Sequence, residues 1–140
     1  MKKIIWLFNL LAASLIFSGC SQTAGNTGTV YVVSTNDMHA NVLNYDSGID
    51  LALVSGLKQQ YDALLFDAGD ALQGAPLAIL SDGDDVLSLM KTAGYDAMAL
   101  GNHEFDYGYP QLKENLSKAD FAVLCANILK DGENAFQGNT

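Results

Sequence analysis

The chain has 140 residues, 49% of them hydrophobic and 16% charged, with 13 Gly and only 2 Pro, a composition that excludes disordered and collagen-like chains. Its formal net charge is −9, from 16 Asp and Glu against 7 Lys, and no Arg occurs in the sequence. Neutralising a phosphate backbone needs clustered Lys and Arg, so binding to a nucleic-acid polymer is not expected.

Residues 1–20, MKKIIWLFNLLAASLIFSGC, begin with Lys2 and Lys3, continue as an apolar run from Ile4 to Phe17 interrupted by Asn9 and Ser14, and end in small residues. This is the pattern of an export signal, and the run is short of the roughly 20 apolar residues of a spanning helix. Ser18 and Gly19 before Cys20 resemble the lipobox of bacterial lipoproteins, although Phe17 stands where an aliphatic residue is usual. The resemblance implies a signal peptide over residues 1–19 and an acylated Cys20. The protein would then be anchored by lipid to the cell membrane on its extracytoplasmic side, with a secreted or periplasmic protein as the alternative. Cys20 and Cys125 are the only cysteines, so acylation of the first leaves no intramolecular disulfide. Residues 21–28, SQTAGNTG, are small and polar and read as a tether, which places the folded domain at residues 29–140.

Within that domain, apolar runs occur at Val30–Val33, Ala63–Phe66, Ala97–Leu100 and Phe121–Leu124. Continuous rather than alternating runs predict strands buried on both faces, as in a parallel sheet. Between them the apolar period becomes helical. Ile49, Ala52, Leu53, Gly56 and Leu57 form one stripe, and Val86, Leu89, Met90 and Ala93 a second that stops at Gly94. Tyr109, Leu112, Leu116 and Ala119 form a third, with Pro110 in its first turn. Strand starts about 33, 34 and 24 residues apart have the size of successive βαβ units, so the predicted class is α/β, a parallel-type sheet with flanking helices.

Sites in such sheets form at the carboxyl ends of strands, where loops converge. The polar clusters fall there: Thr35-Asn36-Asp37-Met38-His39 after the first strand, Asp67-Ala68-Gly69-Asp70 after the second, and Gly101-Asn102-His103-Glu104-Phe105-Asp106 after the third. The only two histidines, His39 and His103, lie in these loops. Asp37 and His39 share a face of an extended segment, and Gly69 permits a tight turn beside Asp70, yet each pair alone reads equally as turn chemistry. Asp106 could hold the His103 imidazole in one tautomer and favour its charged form. Hard oxygen donors with imidazole suit divalent Mn, Zn, Fe, Mg or Ca, and two such ions would activate water and neutralise a phosphoryl group. Hydrolysis of a phosphate ester is the reaction this predicts.

The segments VSTNDMHANV, LLFDAGDALQGAPLAIL, YDAMALGNHEFDYG and FAVLCANI resemble the calcineurin-like metallophosphoesterases, and among them the secreted bacterial 5′-nucleotidases and 2′,3′-cyclic-nucleotide phosphodiesterases. The resemblance spans nearly all of residues 29–130 and implies the first half of an α/β/β/α sandwich. It implies that Asp37 and His39 ligate one metal, that Asp70 bridges two, and that Asn102 ligates the second. His103 would protonate or stabilise the leaving oxygen with Asp106 orienting it, and Asp67 would structure its loop without ligating. Ala40 stands where the family usually has Gly. The substrate implied is an extracellular nucleotide or another phosphate ester, with a related sugar-nucleotide or sulfur-compound hydrolase as an alternative. Family members draw further His ligands and a nucleoside-binding domain from later sequence. The expectation for these 140 residues is a partial catalytic domain, or else a non-catalytic lipoprotein remnant with weak metal binding.

Four features read as structure. Ser81-Asp82-Gly83-Asp84-Asp85 lacks the ligand spacing of a calcium loop and suits a helix N-terminus. Cys125 reads as a small buried hydrophobe. Tyr95, Tyr107 and Tyr109 read as packing residues. Glu104 stands open between helix-start and supporting roles.

Overall fold

The computed structural model of the protein describes residues 28–43 and 50–136, so the signal segment, Cys20 and nearly all of the tether lie outside the described residues. Strands β1 (Val32–Thr35), β2 (Leu64–Asp67), β3 (Ala97–Ala99) and β4 (Ala122–Leu124) form one parallel sheet in the order β1-β2-β3-β4. β1 starts later than the apolar run and extends to Thr35, because its register aligns Thr35 with Asp67 at the end of β2.

The helices are α1 (Leu51–Tyr61), α2 (Pro76–Ser81), α3 (Asp84–Ala93) and α4 (Tyr109–Leu116). Asp50 caps α1 by accepting hydrogen bonds from the N–H groups of Ala52 at 2.9 Å and Leu53 at 3.3 Å. That start sets the helix rotation. Leu51 and Val54 become its buried residues while Leu53 is 62% exposed, which corrects the expected stripe, whose first member Ile49 lies outside the described residues. In α3 the inward face is Val86, Leu87, Met90 and Ala93, and Gly94 ends the helix in the left-handed conformation. α4 buries Leu112, Asn115 and Leu116 and stops before Ala119. α2 carries no periodic signal long enough to be read in advance. The Ser81–Asp85 segment links α2 to α3, with Asp84 and Asp85 in the first turn of α3 and Lys118 donating to Asp84 at 2.9 Å.

One core joins these helices to Leu65, Met98 and Val123 on a single face of the sheet. On the other face Val32, Leu64 and Leu124 are 58%, 43% and 49% exposed, while Ala97 in the middle of that face is 7% exposed. The expectation of strands buried on both faces is therefore corrected for the described residues. The sheet thus carries one helical layer, and much of its opposite apolar face is open. Beyond β4, a two-stranded hairpin of β5 (Leu129–Lys130) and β6 (Glu133–Asn134) packs Phe136 against Phe105 and Tyr109, with ring centroids 6.2 Å and 5.5 Å away. Cys125 is buried and free, and Tyr95 is in the core. Among the described residues no helix is long and apolar enough to cross a membrane.

Candidate metal centre

Because β1, β2 and β3 are parallel neighbours, the segments that follow them leave the sheet at the same end. The first two are zipped together by backbone hydrogen bonds. Asp37 N–H donates to Gly69 O at 3.0 Å, His39 N–H to Asp70 O at 2.9 Å and Ala40 N–H to Ala71 O at 2.9 Å. This pairing forces Asp37, His39, Ala40 and Asp70 into the left-handed region, at φ of 49°, 46°, 59° and 57°. Such values strain residues with a Cβ and mark segments held by their surroundings. At Ala40 they explain why a glycine would sit there more easily.

The second and third loops touch through glycines. A Cβ on Gly69 would lie 2.6 Å from Gly101 N, and one on Gly101 would lie 2.8 Å from Asp70 N and overlap Asp70 Oδ1. Only hydrogen at both positions lets the backbones approach this closely. Asp70 Oδ1 accepts a hydrogen bond from the His103 N–H at 2.9 Å, which ties the Asp70 carboxylate to the third loop.

The result is a cluster. One donor atom each from His39, Asp70 and His103 lies within 4.8 Å of the others, and the two imidazole rings meet edge to face with centroids 5.0 Å apart. Imidazole nitrogens and a carboxylate at this spacing fit a divalent cation of the Zn, Mn or Fe type. Asp37 is exposed, outside this cluster, and accepts from Asn36 Nδ2 at 2.7 Å; Asn102 is exposed beside His103. His103 Nδ1 is 2.8 Å from Asp106 Oδ2. That hydrogen bond holds the His103 pKa above its ordinary value.

Two buried carboxylates support the loops. Asp67 accepts from Thr35 Oγ1 at 2.6 Å and from the Gly69 N–H at 2.8 Å. Thr35 Oγ1 is in turn 2.8 Å from the Tyr95 hydroxyl. Since the threonine proton goes to Asp67, Tyr95 donates to Thr35. Burial outweighs these hydrogen bonds and pushes the Asp67 pKa up to about 6, and it pushes Tyr95 up to about 12. The second carboxylate is Glu104, 2% exposed, which accepts four backbone N–H groups from Asp70, Ala71, Leu72 and Gly101. The sequence leaves its role open, since no periodicity or spacing announces such a contact. Its one sequence signal is a carboxylate beside a histidine in a glycine-led loop. His103, which the sequence places as the acid of these converging loops, also lies within ligand distance of His39 and Asp70.

A parallel α/β sheet whose adjoining strand ends gather imidazole and carboxylate donors is a scaffold able to hold a divalent metal ion. No protein-family model matches the chain. It is 35% identical over 130 residues to the trifunctional nucleotide phosphoesterase protein YfkN of Bacillus subtilis, covering 75% of this chain and 9% of that protein. The crystal structure of the calcineurin-like phosphoesterase YfkN matches at a TM-score of 0.63 and 34% identity, over 75% of this chain and 39% of the solved one. A 5′-nucleotidase precursor from Thermus thermophilus matches at a TM-score of 0.65 and 32% identity, over 78% of this chain and 24% of that one. The 2′,3′-cyclic-nucleotide 2′-phosphodiesterase/3′-nucleotidase of Yersinia enterocolitica is 33% identical over 149 residues, covering 91% of this chain and 23% of the relative. The chain belongs to the calcineurin-like phosphoesterase family, on the branch that contains the 5′-nucleotidases. It spans less than a quarter of the length of these curated relatives.

Proposed function

We propose that the chain carries the first metal-binding loops of a metal-dependent phosphoesterase that hydrolyses nucleotides outside the cytoplasm. The observation that carries this reading is the convergence of His39, Asp70 and His103 donor atoms within 4.8 Å at the carboxyl end of the sheet. The nucleotide substrate rests on the names of the relatives, and the extracytoplasmic, lipid-anchored location rests on residues 1–20.

In this reading Asp37, His39, Asp70 and Asn102 would hold the divalent ions, Asp37 and His39 on one, Asn102 on a second and Asp70 contributing to both. When bound, such ions supply a nucleophilic water at neutral pH and neutralise phosphoryl charge. The chain's own residues do the rest. Asp106 engages His103 Nδ1, which leaves Nε2 to carry a proton toward the leaving oxygen. Because Asp106 also raises the His103 pKa, a larger share of the imidazole is protonated near neutral pH. Among these 140 residues, which include no Arg, backbone N–H groups, Lys and His103 are the other groups able to meet phosphate charge.

A second reading follows from the cluster itself: His103 ligates a single ion with His39 and Asp70, and the chain binds metal without turnover. Phosphate release from a nucleoside monophosphate by the full chain separates the two. Activity should require Mn²⁺ or Zn²⁺ and vanish with a chelator, and His103→Ala should lower the rate by about 10²–10⁴-fold while metal binding is kept. Loss of metal binding in His103→Ala, with no turnover by the unmodified chain, supports the single-ion reading. Turnover indifferent to chelation refutes both.

A further inference from the structure

Glu104 is buried directly after His103, and among the described residues no cation pairs with it. A buried carboxylate without a cation persists only when its lone pairs are filled. Here Oε1 accepts from Ala71 N–H at 2.7 Å and Leu72 N–H at 3.1 Å, and Oε2 from Asp70 N–H at 2.9 Å and Gly101 N–H at 2.7 Å. Three of these donors belong to the second loop and one to the third. The carboxylate therefore clamps the two loops together at the point where Gly69 and Gly101 meet.

We propose that Glu104 is the positioning residue that sets the direction of the Asp70 carboxylate and thereby the metal affinity of the site. The inference rests on the reading of Asp70 as a ligand. Asp70 sits at φ 57°, in the left-handed region. Glu104 fixes it by taking the Asp70 N–H and the two that follow, while the Gly101 contact keeps the His103 N–H on Asp70 Oδ1. Asp70 Oδ2 accepts from no donor among the described residues, and a carboxylate oxygen of Asp70 lies within 4.8 Å of donor nitrogens of His39 and His103.

Glu104→Gln is the informative change. It keeps the shape of the side chain but replaces one oxygen with an NH₂ group, so in either amide orientation two backbone N–H groups lose their acceptor. Calorimetric titration of the full chain with Mn²⁺ should show affinity about 10–100-fold below that of the unmodified chain, with a cooperative unfolding transition retained. A role confined to stability would lower the unfolding midpoint and leave the affinity of the folded protein unchanged, and that result overturns the proposal. Asp70→Asn is the reference: it should abolish binding. If the unmodified chain binds no Mn²⁺, the metal reading falls, whereas binding lost in Asp70→Asn and kept in Glu104→Gln overturns only the role of Glu104.

Should Glu104→Gln fail to fold, the unmodified chain still decides. Amide exchange measured by NMR with Zn²⁺ should slow at Ala71 and Leu72, which hold no ligand but share the Glu104 clamp. Exchange at both unchanged by Zn²⁺, while the Asp70 carboxyl carbon shifts, refutes the coupling.

Discussion

The charge on Asp67 works against the folded state, and its removal should stabilise the protein. Asp67 is 3% exposed and its pKa rises from 3.8 to about 6, with burial as the largest cause and the Glu104 and Asp37 charges as smaller ones. A carboxyl that binds its proton more tightly when folded contributes stability below pH 3.8, and that contribution is lost as pH rises through about 6. A shift of about two units at about 1.4 kcal/mol each gives a loss of about 3 kcal/mol across that window. Asp67→Asn removes the titration without orphaning a partner. Its amide oxygen still accepts from Gly69 N–H, its NH₂ donates to Thr35 Oγ1, Thr35 then donates to Tyr95, and the Tyr95 proton turns to Met38 Sδ, 3.7 Å away. Urea unfolding of the metal-free protein at pH 4 and pH 7.5 measures the difference. The variant should match the unmodified chain within about 1 kcal/mol at pH 4 and exceed it by about 1–3 kcal/mol at pH 7.5. Other titrating groups, His103 and Asp96 among them, cancel in this comparison. An Asp67→Asn variant that is less stable than the parent at pH 7.5, or one with the same pH slope, would refute the reasoning.

Gly101→Ala places a methyl group against Asp70 Oδ1 and 2.8 Å from Asp70 N, so it should destabilise the fold by about 1–3 kcal/mol in urea. A change under about 0.5 kcal/mol would show that the loops can part. Asp50→Ala removes the cap of α1 and should cost about 1 kcal/mol, whereas Asp50→Asn, which keeps an acceptor oxygen, should cost only a few tenths. Equal stability of Asp50→Ala and the parent in the same assay would exclude the capping bond.

Much of the scaffold is legible locally. β-branched and aliphatic runs became the four parallel strands, Gly94 ended α3, and Pro110 fell in the first turn of α4, because each depends on the period or backbone freedom of a few neighbouring residues. The rotation of α1 was not legible, since it follows from where Asp50 caps and which side meets the sheet. Nor was the one-sided burial of the sheet, because an apolar run has the same appearance whether its second face is covered or open.

The same division holds at the site. The sequence alone determined that both histidines and a set of carboxylates follow strand ends, and its motifs indicated the family. Only the tertiary structure brought His39, Asp70 and His103 within 4.8 Å, and only it revealed Glu104 as a clamp on four N–H groups and Asp67 as an acid whose pKa burial raises. The physical reason is separation along the chain. Asp70 and Glu104 are 34 residues apart, and their contact exists only once parallel pairing has brought the second and third strand ends side by side.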